Sequence, residues 1–254
     1  MKIAFLDSGI GGLTVLHEAL QLMPNEQYIY FADSKNAPYG TKSPAAIRAL
    51  VFQAVDFLAQ FELKALVLAC NTATSVAVKE LRKAYDFPII GMEPAVKPAV
   101  DANNNKKILV CATDRTLAAN KLKTLIQNLN ATDQVEQLSL QKLVLFAEEF
   151  NFQSPAINDY LSTSFENIQW QEFDSIVLGC THFPYFKNQI QALVPPHIRI
   201  WDGNYGTAKH LQSRIAPSTA TSSSPVQYFI SKEATPASYF HKYFSLINRQ
   251  HHSL

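Results

Sequence analysis

Two cysteines carry the chemistry that this sequence most clearly offers. Cys70 and Cys180 each close an apolar run, ALVLAC and SIVLGC, and are followed by Asn71-Thr72 and Thr181-His182. One cysteine in such a place reads as a small buried hydrophobe, and Cys111, inside ILVCAT, is read that way. Two cysteines in matching loops read differently. If the segments around them face each other across a cleft, the thiols reach a ligand from opposite sides, the geometry for taking a proton off one carbon and returning one to it. His182, two residues past Cys180, either sets that thiol's protonation or is a satisfied loop histidine; the spacing leaves both open.

Asp7-Ser8 begins DSGIGG directly after the first apolar run. The third glycine of a G-x-G-x-x-G pattern would fall at Thr14, so this is not a dinucleotide fingerprint, and no Gly-Lys-Ser/Thr follows any strand-like run. A loop of small residues opening a helix still offers N–H groups to a carboxylate, while Asp7 as a simple helix cap is an equal reading. ADSKNAPYGTKS (32–43) reads as a strand-to-helix loop built on a Pro-Tyr-Gly turn. Glu148 and Glu149 follow an apolar run, where adjacent carboxylates ordinarily mark a solvated helix face. His251 and His252 read as a disordered tail. The cysteines show no CxxC spacing, no cluster has metal-ligand spacing and no lysine sits in an evident pyridoxal-phosphate site, so neither metal nor cofactor is expected.

The elements that must hold these residues follow from periodicity. IAFL, YIYF, ALVLAC, FPIIGM, KILVCA, SIVLGC and RIWDG are short runs apolar on both faces, as in parallel strands covered by helices. Between them, Leu13–Met23, Pro44–Phe61, Ala73–Tyr85 and Thr116–Leu129 repeat apolar residues at helical spacing, with Pro44 suited to a first turn after Ser43. This is an α/β pattern. It contains a weak repeat: KALVLACNTAT (64–74) resembles DSIVLGCTHFP (174–184), and IAFLDSGIGG (3–12) resembles ILVCATDRTL (108–117). The eight glycines all lie in or just after strand-like runs, where the backbone turns sharply or a ligand comes close. APSTATSSSP (216–225) reads as a loop, VQYFIS as a strand, and TPASYFHKYFSLINR as an amphipathic helix that packs back on the first half.

At 254 residues, 47% hydrophobic and 17% charged, the chain is rich enough in apolar residues for one large α/β unit or two small ones, and intrinsic disorder is excluded. Lys plus Arg is 22 and Asp plus Glu is 21, so no basic excess draws in nucleic acid or a membrane surface. The apolar run ahead of Asp7 is too short for a signal sequence or a membrane span, and a cytoplasmic protein is expected.

FLDSGIGGLTV, FADSKNAPYGTKS, LACNTATS, GMEPAVKPA and LGCTHFPYF together resemble glutamate racemase, the cofactor-independent family that makes D-glutamate for bacterial peptidoglycan. The resemblance runs from Lys2 to about Leu211. It implies two similar α/β lobes, each a mainly parallel sheet flanked by helices, with the active site in the cleft between them. The expected division is 1–97 with 210–254 against 98–209. It also implies that Cys70 and Cys180 are the catalytic acid and base, assisted by Asp7, His182 and Glu148, with Glu149 the alternative register. Ser8, Pro38, Tyr39, Gly40, Asn71, Thr72, Thr116 and Thr181 would hold glutamate, without cofactor, in a protein expected to be a homodimer.

Several positions depart from the family pattern. Ala119 and Leu122 stand where Ser and Tyr are usual, Leu140-Gln141 where Cys-Pro precedes the glutamate, and Gly203 where Ser is common after the aspartate corresponding to Asp202. The chain starts at its first strand, which implies the absence of the N-terminal extension by which some members respond to a cell-wall precursor. Two rival classes stand beside this reading. One is another cofactor-free isomerase or decarboxylase acting on aspartate, a hydantoin or a dicarboxylate; the other is a two-lobed binding protein without catalysis. A cysteine hydrolase built on Cys180 and His182 would leave Cys70 unexplained.

Overall fold

A computed structural model describes residues 1–218 and 226–251. The first four strands are β1 (Lys2–Asp7), β2 (Tyr28–Ala32), β3 (Leu63–Leu68) and β4 (Ile89–Gly91), parallel and ordered β2-β1-β3-β4. The next four, β5 (Lys107–Ala112), β6 (Val135–Ser139), β7 (Phe173–Leu178) and β8 (Arg199–Asp202), form a second parallel sheet ordered β6-β5-β7-β8. The two orders are the same topology used twice. Even the irregularity repeats, since the β1–β3 register shifts at Lys2/Ile3 and the β5–β7 register at Lys107/Ile108. The weak sequence repeat is therefore structural: IAFL and ILVC are the equivalent strands β1 and β5, and the two cysteine segments are β3 and β7.

The remaining strands, β9 (Gln227–Ile230) and β10 (Glu233–Thr235), extend the first sheet: β9 runs parallel to β2 and β10 antiparallel to β9. β1, β2 and β7 are buried almost throughout, as strands covered on both faces must be. β6, VEQLS, is half-exposed at a sheet edge and carries no apolar run, which is why periodicity passes over it.

The helices are α1 (Leu13–Leu22), α2 (Pro44–Leu58), α3 (Asn71–Ala84), α4 (Val96–Asp101), α5 (Asp114–Leu117), α6 (Asn120–Asn128), α7 (Lys142–Glu148), α8 (Pro155–Phe165), α9 (Lys187–Leu193), α10 (Asn204–Arg214) and α11 (Ala237–His251). Ser43 caps α2 by accepting from the Ala46 N–H, with Pro44 in the first turn. The single helix expected over 116–129 is instead α5 and α6, because the backbone at Ala119 is extended and the helix restarts there. Division at residue 210 falls inside α10, a helix packed on α1. α11 lies against α1 and also against the Phe183–Phe186 turn that follows β7, so the tail touches both halves. Of the loop read at 216–225, residues 219–225 lie outside the described residues, as does His252. Among the described residues no helix is long and apolar enough to cross a membrane.

Candidate active site

The loops at the carboxyl ends of β1, β3, β5 and β7 converge, as ligand-holding loops of parallel sheets do. Cys70 lies two residues beyond β3 and caps α3, its Sγ accepting from the Ala73 N–H at 3.4 Å, with Ser8 Oγ 3.7 Å away. Cys180 lies two residues beyond β7, its Sγ 3.7 Å from His182 Nδ1. Both thiols are buried. They are near enough that Cys180 contributes to the pKa of Cys70.

Each thiol has its own proton-handling neighbours. On the Cys180 side, His182 Nε2 lies 2.6 Å from Glu148 Oε1, and that oxygen also accepts from the Ile10 N–H at 2.8 Å. Burial opposes a charge on His182, but hydrogen bonds to Cys180 and Glu148 outweigh it and raise its pKa well above that of free imidazole. On the Cys70 side, Asp7 is fully buried, accepts from the Gly9 N–H at 2.8 Å, and accepts from Thr181 Oγ1 at 3.0 Å. Burial raises the Asp7 pKa, against the lowering effects of His182 and those two donors. Asp7 is thus bonded across the halves, rather than capping a helix on its own. Glu148 is the glutamate that meets His182, while Glu149 is exposed and ends α7.

The other expected residues fall into two groups around the thiols. Thr72 Oγ1 meets Thr113 Oγ1 at 3.0 Å and Thr116 Oγ1 at 3.3 Å, a hydroxyl cluster joining α3 to α5 across the halves. Asn71 is buried, yet neither atom of its side-chain amide has a hydrogen-bond partner among the described residues. An unpaired buried amide costs about 1–3 kcal/mol, which a ligand accepting and donating there would offset. Tyr39 donates to Asp33 Oδ2 at 2.6 Å, fixing the Pro38-Tyr39-Gly40 turn, and Gly40 sits against Gln141 from the other half.

The glycines explain how closely the halves meet. A Cβ on Gly9 would stand 1.8 Å from Glu148 Oε1, and one on Gly11 would stand 2.5 Å from His182 Nδ1. Neither has positive φ, so their value is space. What comes close there is the other half's side chains. Tyr30 and Tyr185 hold the same loop by donating to the Gly9 and Ile10 carbonyls at 2.7 and 3.1 Å. The one sequence signal that points to Thr113 is the repeat, which aligns it with Ser8; Tyr30 and Tyr185 carry no signal beyond their place in apolar runs.

The sequence pattern of the Asp/Glu/hydantoin racemase family matches residues 13–211. The chain belongs to that family. It is 50% identical over 218 residues to the glutamate racemase of Halothermothrix orenii, covering 86% of each chain. It is 47% identical to glutamate racemase 2 of Bacillus subtilis, over 85% of this chain and 82% of that one. Escherichia coli glutamate racemase, solved with L-glutamate and the activator UDP-MurNAc-ala, is 30% identical and superposes with a TM-score of 0.82 over 98% of this chain and 95% of that one.

In this family member, burial first, and then the negative charge of Asp7, push the Cys70 thiol up to about 12, while the Ala73 N–H and Ser8 pull it down. Cys70 is therefore overwhelmingly the neutral thiol near neutral pH. Iodoacetamide labelling of Cys70, read by peptide mass, is expected to climb about tenfold per pH unit between about pH 7 and 9 without levelling. A plateau near neutrality would show that the thiol ionises unaided.

Proposed function

We propose that this protein interconverts L- and D-glutamate by direct proton transfer between two thiols, supplying D-glutamate for peptidoglycan. The observation that carries the reading is the placing of Cys70 and Cys180 at equivalent strand ends of two sheets with one topology, each beside a separate set of proton partners. The α-carbon sits between them. One thiolate takes the α-proton while the opposite thiol delivers another, and the roles reverse for the other enantiomer. His182 holds the proton that Cys180 releases, with Glu148 balancing its charge; Asp7 and Ser8 serve Cys70. Asn71, Thr72, Thr116, Thr181 and the Pro38-Tyr39-Gly40 turn fix the carboxylates, and fixed donors there stabilise the charge that builds as the proton leaves. The lobes of this proposal are the two sheets with their helices, near the division 1–97 with 210–254 against 98–209, in a cytoplasmic homodimer.

The test is to incubate the pure protein with L-glutamate, with no added cofactor, and follow circular dichroism. Optical activity is expected to decay to zero, with kcat/KM for aspartate lower by about 10- to 100-fold because a shorter acid leaves buried polar groups unpaired. Undiminished optical activity would overturn the proposal, and equal efficiency on aspartate would overturn the substrate assignment.

A further inference from the structure

A cavity of about 660 Å³ lies between α3 and the α5–α6 segment, and it meets the site at Asn71, the residue after Cys70, and at Thr116. That is within the ~300–1,000 Å³ typical of small-molecule sites. Its deepest wall includes Asn71 and Thr116, both almost fully buried, and it opens outward past the exposed Lys79. The charged side chains on its wall are Arg48, Lys79, Arg115 and Lys121 against Glu80 and Glu93. Arg48 pairs with Glu80 and Lys121 with Glu93, which leaves Lys79 and Arg115 without a carboxylate partner among the described residues. The wall is therefore net cationic.

Arg115 differs from a surface cation. It is half-buried, and its Nε is closed off from solvent without a hydrogen-bond partner. Buried donors of this kind are nearly always paired. In the lining of the same cavity, the Asn71 amide is also buried and unpaired. Two unpaired groups line this one cavity, Arg115 on α5 and Asn71 on α3, and each offers an N–H to an acceptor held there. A guanidinium matches a carboxylate in shape and charge, and it sits one residue from Thr116, at the inner end of the cavity.

We infer that this cavity is the vestibule through which substrate reaches the thiols, and that Arg115 is a specificity-determining residue that captures a carboxylate of incoming glutamate before Asn71 and Thr116 take it. The inference rests on the glutamate reading of the site. Arg115 lies outside the contacts of both thiols, so its effect falls on capture and KM, not on the proton transfers. Both enantiomers are equal in free energy, so kcat/KM falls by the same factor for each.

Arg115→Gln removes the charge and keeps a polar side chain; Arg115→Lys keeps the charge. With the full chain in about 20 mM salt, Arg115→Gln is expected to raise KM for L- and D-glutamate about fivefold, with kcat changed less than about twofold. Arg115→Lys is expected to recover most of the loss. Raising salt to about 200 mM should raise the wild-type KM by a larger factor than that of Arg115→Gln, because one of the two unpartnered cations on the wall is gone and Lys79 remains. A KM for Arg115→Gln within about twofold of wild type at low salt, or a fall in kcat with KM unchanged, would overturn the inference. Wild-type protein that leaves glutamate optically active in this assay would overturn the reading beneath it, a result distinct from either variant outcome.

Discussion

Cys70→Ser and Cys180→Ser are each expected to lower kcat by at least about 10³-fold in both directions while glutamate still binds. The substitution changes one atom and keeps the shape of the side chain. It replaces a thiol by a hydroxyl far too weakly acidic to be deprotonated by His182 or Asp7. In a two-base scheme each thiol is the base for one enantiomer and the acid for the other, so losing either stops both. Asn71, Thr72, Thr116 and Thr181 are untouched, which is why calorimetric binding of glutamate survives. A single variant with near-normal turnover would show that one thiol serves both faces.

The second large effect concerns the Glu148–His182 pair. Glu148→Gln removes the charge that supports a protonated His182, and Gly9→Ala drives a methyl into the space held by Glu148 Oε1. Each is expected to lower kcat/KM about 10²-fold. Because L- and D-glutamate have equal free energy, kcat/KM falls equally in both directions, and any imbalance is confined to kcat and KM separately. Both changes break the same contact, so the double variant is expected to be no worse than the more damaged single variant. Steady-state rates in both directions, with thermal unfolding as a check on folding, decide this. Additive losses would mean that Gly9 and Glu148 act independently.

The parts of this molecule legible in its sequence are those set by local pattern. Strands buried on both faces write themselves as continuous apolar runs, so β1, β3, β5 and β7 are visible, and with them the equivalence of Cys70 and Cys180. Pro44 and Ser43 announce the start of α2. What is not legible depends on contact between the halves. Glu148 and Glu149 look alike in sequence, and only the rotation of α7 decides that Glu148 meets His182 and Ile10. Gly9 and Gly11 look like turn residues, yet their role is to admit Glu148 and His182, side chains far along the chain from them. The break at Ala119 has no glycine or proline to mark it. Arg115 reads as an ordinary helix cation until the cavity beside it is seen.

Isotope exchange tests the central claim, that two thiols work on opposite faces of one carbon, most directly. Starting from unlabelled L-glutamate in deuterium oxide, product and residual substrate are separated early in the reaction and weighed by mass spectrometry. The donating thiol carries a solvent-derived deuteron, so early D-glutamate is expected to be almost fully labelled at the α-carbon, while recovered L-glutamate stays unlabelled. Early D-glutamate retaining much of the original hydrogen would mean that one base carries the proton across, and would contradict the two-thiol mechanism.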